Sequence, residues 1–530
     1  MKQLFINGQV FTGEMPLQTA FAVENGRFAA VGSDEDILAL RQEGDALTNL
    51  EGRFVCAGFN DSHMHLLNYG YAMTCCNLMP CTSVAGLQDV LRTYIADKAI
   101  APGAWVRGRG WNHDYFTDYH GEPTRAQLDE VSTEHPICIV RCCGHCLVLN
   151  SKAIEVLGLN DAIPQPDGGH YDLASGLFQD SAMSLVYTRL PAPSRSEIKT
   201  MLRTASAALN SFGVTSCQTD DLCAFENVNY EEVIAAYQEL IAEGGLTVRV
   251  YEQAQLPTLE GLQSFLDKGY NTGWGNDRFR IGPLKMLGDG SLGARTAYLR
   301  QDYADTPGQR GLAIFTQQQF DDMIGLAHRS GMQVAVHVIG DGILDRVLTA
   351  YEKAFAACPR ADHRCGVIHV QLTHPDQLRR MQQLGLHAYI QSIFLDYDIH
   401  IVESRVGAEL AATSYAFHTM KDMGLHVSNG TDCPVEMPVA LRGIQCAVTR
   451  KTLSGQGPYR PEEAMSVAEA LRSYTVESAH ASFEENVKGR IAPGFLADFT
   501  ILAESPFAVP PEKLGSIQVA QTWVDGKQVW

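Results

Sequence analysis

Arg53-Phe54-Val55-Cys56-Ala57-Gly58-Phe59-Asn60-Asp61-Ser62-His63-Met64-His65 opens as an apolar, strand-like run and closes on two histidines two residues apart. Alternate side chains of an extended chain share a face, so His63 and His65 can both reach one ion. The pattern returns downstream, where Lys285, His337, His369 and Asp432 each stand near the end of a β-like stretch. In a (β/α)8 barrel the C-terminal strand ends carry the chemistry. One His-x-His alone says little. The same kind of residue at successive strand ends, in order, points to a metal-dependent hydrolase.

Working outward, the middle of the chain alternates strand and helix. Strand-like stretches are 53–59, 213–220, 246–253, 279–288, 333–339, 365–371, 387–394 and 426–432, with helix-like stretches at 197–211, 230–243, 318–330, 342–356 and 376–384. Eight strands with helical connections predict a closed parallel barrel. The first interval, of about 150 residues, is too long for a bare loop. It contains strand-like pieces of its own, Trp105–Trp111 and Ile137–Cys143, and a Pro/Gly-rich loop near 163–176. We read about 75–205 as an insertion over the barrel mouth. Both ends of the chain read as hairpins. Asn7-Gly8, Asn25-Gly26 and Asp525-Gly526 sit between apolar-containing arms, and these dipeptides accept the positive φ of tight turns. Hairpins cannot build a core alone. The expected domains are therefore an N-terminal part (1–52) and a C-terminal part (485–530) of one small β-sandwich, flanking a barrel over 53–484.

Composition narrows the class. A net charge of −20 disfavours nucleic acid, which needs a basic face. No apolar run is long enough to span a membrane, by the measure of about 18 residues. Met1-Lys2-Gln3-Leu4-Phe5-Ile6-Asn7-Gly8 turns too soon to form a signal-peptide core, so the expected compartment is the cytoplasm. Fourteen irregularly spaced cysteines, some adjacent (Cys75-Cys76, Cys142-Cys143), fit reduced thiols better than a disulfide framework.

The candidate residues divide by chemistry. His337 ends Val334-Ala335-Val336, and His369 ends Gly366-Val367-Ile368; Asp432 closes Val427-Ser428-Asn429-Gly430-Thr431. In a histidine-lined mouth the aspartate reads as a ligand that doubles as general base, rather than as a helix cap. Lys285 lies in an apolar strand, where an ammonium must lose its charge or find a partner. A neutral amine can add CO₂ to give a carbamate bridging two cations; the alternatives are snorkelling or a pair with Asp289. A structural zinc on Cys143 and Cys146 is disfavoured, because two cysteines supply only half a ligand set. His113, His120, His170, His328, His374, His426 and His480 read as surface, loop or packing residues. Trp111, Tyr115, Phe116, Phe394 and Tyr397 read more readily as packing than as substrate contacts.

Taken together, Phe59–His65, Gly110-Trp111-Asn112, Gly144-His145, Asn150-Ser151-Lys152-Ala153, Lys285–Thr296, His337–Asp341, Gly430–Pro434 and Gly489–Asp498 resemble the amidohydrolase superfamily, in its amidohydrolase 3 branch. The likeness covers nearly the whole chain; Asp-Gly-Ser-Leu-Gly-Ala-Arg-Thr and Gly-x-x-Ala-Asp are its specific segments. It implies that His63, His65, Lys285, His337, His369 and Asp432 hold one or two divalent metals, usually zinc. It also implies that His145 lines the substrate pocket and that the chain is a homodimer; of the side chains the insertion could add to the pocket, Trp111 is the second candidate. Ile368 stands where many relatives carry glutamate, and Thr431 replaces a more usual serine. Neither is a ligand, so these departures bear on substrate range. The expected activity is cleavage of a non-peptide carbon–nitrogen bond of a small molecule by metal-activated hydroxide attack. Hydrolytic deamination of a ring on the same groups is the alternative chemistry, and a non-catalytic binding or assembly relative is the alternative class.

Overall fold

A computed structural model describes residues 1–142, 144, 146–166 and 169–530, which form two compact units. The first comprises Met1–Leu66, Ala205–Ala224 and Ile234–Trp530; the second comprises Leu67–Thr204 and Phe225–Val233.

Eight parallel strands form the heart of the first unit: β1 (Phe59–Met64), β2 (Val214–Thr219), β3 (Arg249–Gln255), β4 (Phe279–Leu287), β5 (Val334–Val338), β6 (Gly366–His369), β7 (His387–Ile390) and β8 (Val427–Asn429). Each pairs with its sequence neighbour. Asp432 N–H donates to His63 O at 2.8 Å and His65 N–H to Cys433 O at 2.7 Å, which ties the end of β8 back to β1. This is the expected TIM-like barrel. Val, Ile and Leu runs buried on both faces account for strands that read as continuous apolar stretches.

The same unit holds two smaller sheets. One orders Arg27–Gly32, Ala20–Glu24, Gln3–Ile6 and Ala46–Asn49; the other orders Gln9–Phe11, Phe54–Ala57, Phe499–Leu502, Val519–Val524 and Lys527–Gln528. The second draws strands from both ends of the chain. Phe499 meets Phe5 and Phe21 of the first sheet edge-on, at centroid distances of 5.3 and 5.0 Å. Facing apolar residues from both sheets thus share one core.

Two expectations change. The run 53–59 is not the first barrel strand: Phe54–Ala57 pairs with Gln9–Phe11 and Phe499–Leu502, and the barrel begins at Phe59. Gly58 makes the transfer, since a Cβ there would lie 2.2 Å from the Thr215 side chain. Nor is Asn7-Gly8 a hairpin turn, because its arms enter different sheets. The Asn25-Gly26 and Asp525-Gly526 hairpins form as expected, with φ of 51° and 75° in the first and 50° and 67° in the second.

The second unit is built on a six-stranded sheet in the order Gly169–Asp172, Leu177–Asp180, Cys146–Leu149, Ile137–Arg141, Val106–Trp111 and Cys76–Asn77. Alternation divides its side chains between two cores. Ile137, Ile139 and Val148 lie in one with the helix Val84–Asp97, and Cys138, Leu147 and Leu149 in the other. No helix among the described residues is long and apolar enough to cross a membrane.

Candidate metal centre

The barrel strands bring His63, His65, Lys285, His337, His369 and Asp432 into one buried cluster. His63 Nδ1 lies 2.7 Å from Gln253 Oε1, and Gln253 Nε2 donates to Ser62 O at 3.1 Å, which fixes the amide. His63 Nδ1 is therefore the donor, and the Nε2 lone pair faces inward. That nitrogen lies 3.1 Å from Lys285 Nζ and 3.3 Å from Asp432 Oδ1. Asp432 Oδ1 also stands 2.9 Å from His65 Nε2. One ligand atom each from His63, His65 and Asp432 lie within 4.8 Å of one another, so the three can share a cation.

The second half of the cluster fits a cation for a different reason. His369 Nδ1 bonds Gln391 Oε1 at 2.6 Å, and His337 Nε2 bonds Gly290 O at 3.1 Å. The remaining nitrogens, His369 Nε2 and His337 Nδ1, face one another at 2.8 Å. Burial holds His337 down at about 3 and His369 well below the ordinary histidine range, so both rings are neutral and can offer a lone pair. Two neutral imidazoles side by side, with His63, His65 and Asp432, form a donor set that suits a divalent ion.

Electrostatics set the charges around it. Burial lowers His63, and Lys285 adds to that. Burial works against a charged His65, but Asp220 and then Asp432 outweigh it and raise it to about 10. Burial likewise opposes an ionised Asp432, yet the neighbouring His63 and His65 hold it well below the usual carboxylate range. Lys285 is fully buried, so it does not snorkel. Its Nζ lies 3.3 Å from Asp220 Oδ2, and Asp289 instead accepts from the backbone N–H of Tyr298, Ile339 and Gly340.

Asp220, at the end of β2, is the residue that sequence reading passed over. One oxygen bonds His65 Nδ1 and the other faces Lys285. Asp61 plays a supporting part, accepting from His63 N–H at 3.2 Å, from Thr431 N–H at 3.0 Å and from the Thr431 hydroxyl. The strand ends are strained as well: His369, Val370 and Asp432 have φ of 75°, 48° and 58°. Such conformations cost about 1–3 kcal/mol each and gather at functional sites.

Of the other candidates, Trp111 is fully buried in a core of the second unit, with no hydrogen-bond partner for its indole N–H among the described residues. His145 and Cys143 lie outside the described residues. Ile368 packs with Ala335 and Tyr389 in the barrel interior. His328, His374 and His426 bond Cys358 O, Asp341 and Glu477, none of them part of the cluster. Phe394 stacks on the His369 ring, at 5.8 Å and 14°. It helps to line a cavity of about 220 Å³ with Leu292, Ile339, Tyr397, Val435 and Glu436.

The family model described as "Amidohydrolase family" matches residues 46–530. The chain belongs to the amidohydrolase family. YtcJ of Bacillus subtilis (strain 168) is 29% identical over 100% of this chain and 99% of its own length. The N-substituted formamide deformylase of Arthrobacter pascens is 24% identical over 99% and 97%. Among solved structures, an uncharacterized metal-dependent hydrolase from Pyrococcus horikoshii OT3 superposes with a TM-score of 0.82 at 26% identity, covering 96% of this chain and 99% of that one. The protein is thus an amidohydrolase, an enzyme that hydrolyses carbon–nitrogen bonds.

Proposed function

We propose that this amidohydrolase cleaves the carbon–nitrogen bond of a small amide carrying an apolar substituent. The observation that carries the reading is the cluster itself: four histidines, two aspartates and a lysine on barrel strand ends, beside a cavity whose walls combine Phe394, Leu292 and Val435 with the acids Asp398 and Glu436. His63, His65, His337, His369 and Asp432 would hold the metal, and imidazole with carboxylate suits zinc. Lys285, as a carbamate, would add an anionic bridge between two ions. A divalent ion held there supplies Lewis acidity, lowering the pKa of a water and polarising the scissile carbonyl.

The protein's own groups do the rest. Asp432, held ionised, takes the proton of the attacking water and returns it to the leaving nitrogen. Asp220 grips His65 Nδ1 and keeps Nε2 turned toward Asp432. Phe394, Val435 and Leu292 offer an apolar wall to the substituent. The formamide named for the Arthrobacter pascens relative supports a small amide as the substrate class.

The test is a screen of metal-loaded protein against N-formyl and N-acetyl derivatives of alkyl and benzyl amines and against cyclic amides, reading new amine groups. Amine release that a chelator abolishes is the expected result. Ammonia released from an aminated ring, with every amide untouched, would move the assignment to a deaminase.

A further inference from the structure

The second unit carries two arginines with no acid in ion-pair contact among the described residues. Arg107 and Arg109 stand two apart on Val106–Trp111, each partly buried between buried neighbours, so both project from one face. They lie opposite Cys138 and Val140 of the adjacent strand. Among the described residues no carboxylate lies within ion-pair distance of either guanidinium. Arg107 has five N–H donors and uses them little. One makes a 3.4 Å contact to Pro191 O, the buried Nε has no partner among the described residues, and the group lies 5.6 Å from the Tyr71 ring centroid.

Arg107 opens on a cavity of about 500 Å³ whose walls include Tyr71, Tyr94, Trp105 and Met201. The acid lining that cavity, Glu197, accepts from Ser194 N–H and Oγ at 2.7 Å each, which lowers its pKa, and Arg107 lowers it further through space without an ion pair between them. In a chain of net charge −20, an unmatched guanidinium under an aromatic wall is unusual. Its planar fork fits a carboxylate through two parallel hydrogen bonds, and an arginine with such donors unused is costly to bury.

We propose that this cavity binds a small organic carboxylate with a flat apolar body. The carboxylate takes the Arg107 fork, Arg109 adds attraction from the same strand face, and the apolar body lies against Trp105 and Tyr94. None of these residues belongs to the metal centre.

Benzoate and inorganic phosphate serve as probes, titrated by calorimetry into the metal-loaded full-length protein at low salt. Benzoate should bind saturably and more tightly than phosphate, and added salt should weaken it. Arg107→Met should weaken benzoate at least about tenfold and leave metal content unchanged. Ser196→Trp, which fills the cavity and keeps both arginines, should weaken it as well, and it decides the matter if Arg107→Met does not fold. Equal benzoate affinity in the variants would put the carboxylate elsewhere, at the metals for instance, and overturn the proposal. So would the absence of saturable binding, or phosphate binding more tightly than benzoate.

Discussion

Asp432→Asn keeps the size of the side chain and removes the charge lying 2.9 Å from His65 Nε2. If Asp432 moves the proton, kcat should fall by about 10²–10⁴-fold with the fold intact by circular dichroism. Turnover close to wild type would hand that step to another group. Asp220→Asn tests a different role. Asn can still bond His65 but brings no charge to Lys285 or His65, so metal affinity should drop by about 10–100-fold; an unchanged metal titration would reduce Asp220 to packing. Residue by residue, the ligand candidates were legible because each ended an apolar run, where a histidine or carboxylate has no reason to be unless it is used. Asp220 met the same test at the end of 213–220 and was passed over, because its neighbour Asp221 is an equally acidic candidate and nothing in the sequence tells the two apart. Gln253 and Gln391 left no trace in the sequence, since their partners are set by how one strand lies against another.

Among elements, the Gly-x-x-Ala-Asp segment takes its meaning from one contact. Asp498 receives Nε and Nη2 of Arg249, at 2.6 and 3.1 Å, and Arg249 also binds Asp525 of the terminal hairpin. The start of β3 is thereby bolted to the sheet that contains both chain ends. Both partners are almost fully buried, and Asp498→Asn leaves Arg249 with only the partly exposed Asp525 as a counter-charge, so it should cost up to about 3–5 kcal/mol, read from denaturant unfolding. Burial alone would raise the Asp498 pKa, but Arg249 outweighs it and the folded value lies below the ordinary one. Its stabilisation is therefore complete above the unfolded value of about 3.9 and disappears as pH falls through the folded value. Acid should destabilise the wild type more steeply than Asp498→Asn, and parallel acid limbs would contradict the assignment. At this scale the sequence showed strands well and their membership poorly. Phe54–Ala57 is as apolar as a barrel strand, and only the close approach of Gly58 to Thr215 reveals a change of sheet.

For the whole molecule, the periodic alternation of strand and helix carried the barrel, since eight strands in alternation with helices leave few other closed arrangements. The shared terminal sandwich was legible from turn dipeptides at both ends. Its sheet order was not, because Asn7-Gly8 serves a crossing between sheets as readily as a hairpin. Removing residues 505–530 deletes Val519–Val524 and Trp523, which meets Phe5 at 5.3 Å. Hydrogen exchange should then quicken in Gln3–Ile6 and Ala20–Glu24; exchange at the wild-type rate there would deny the two ends a common core. The central claim, that four histidines, Lys285 and Asp432 form a metal centre, is tested most directly by the metal content of purified protein. Elemental analysis after reconstitution and dialysis should find at least one divalent ion per chain in the wild type, less in Lys285→Ala, and almost none when His63 and His65 are both alanine. Wild-type protein that retains no ion, or a double variant that holds as much as the wild type, would contradict the account.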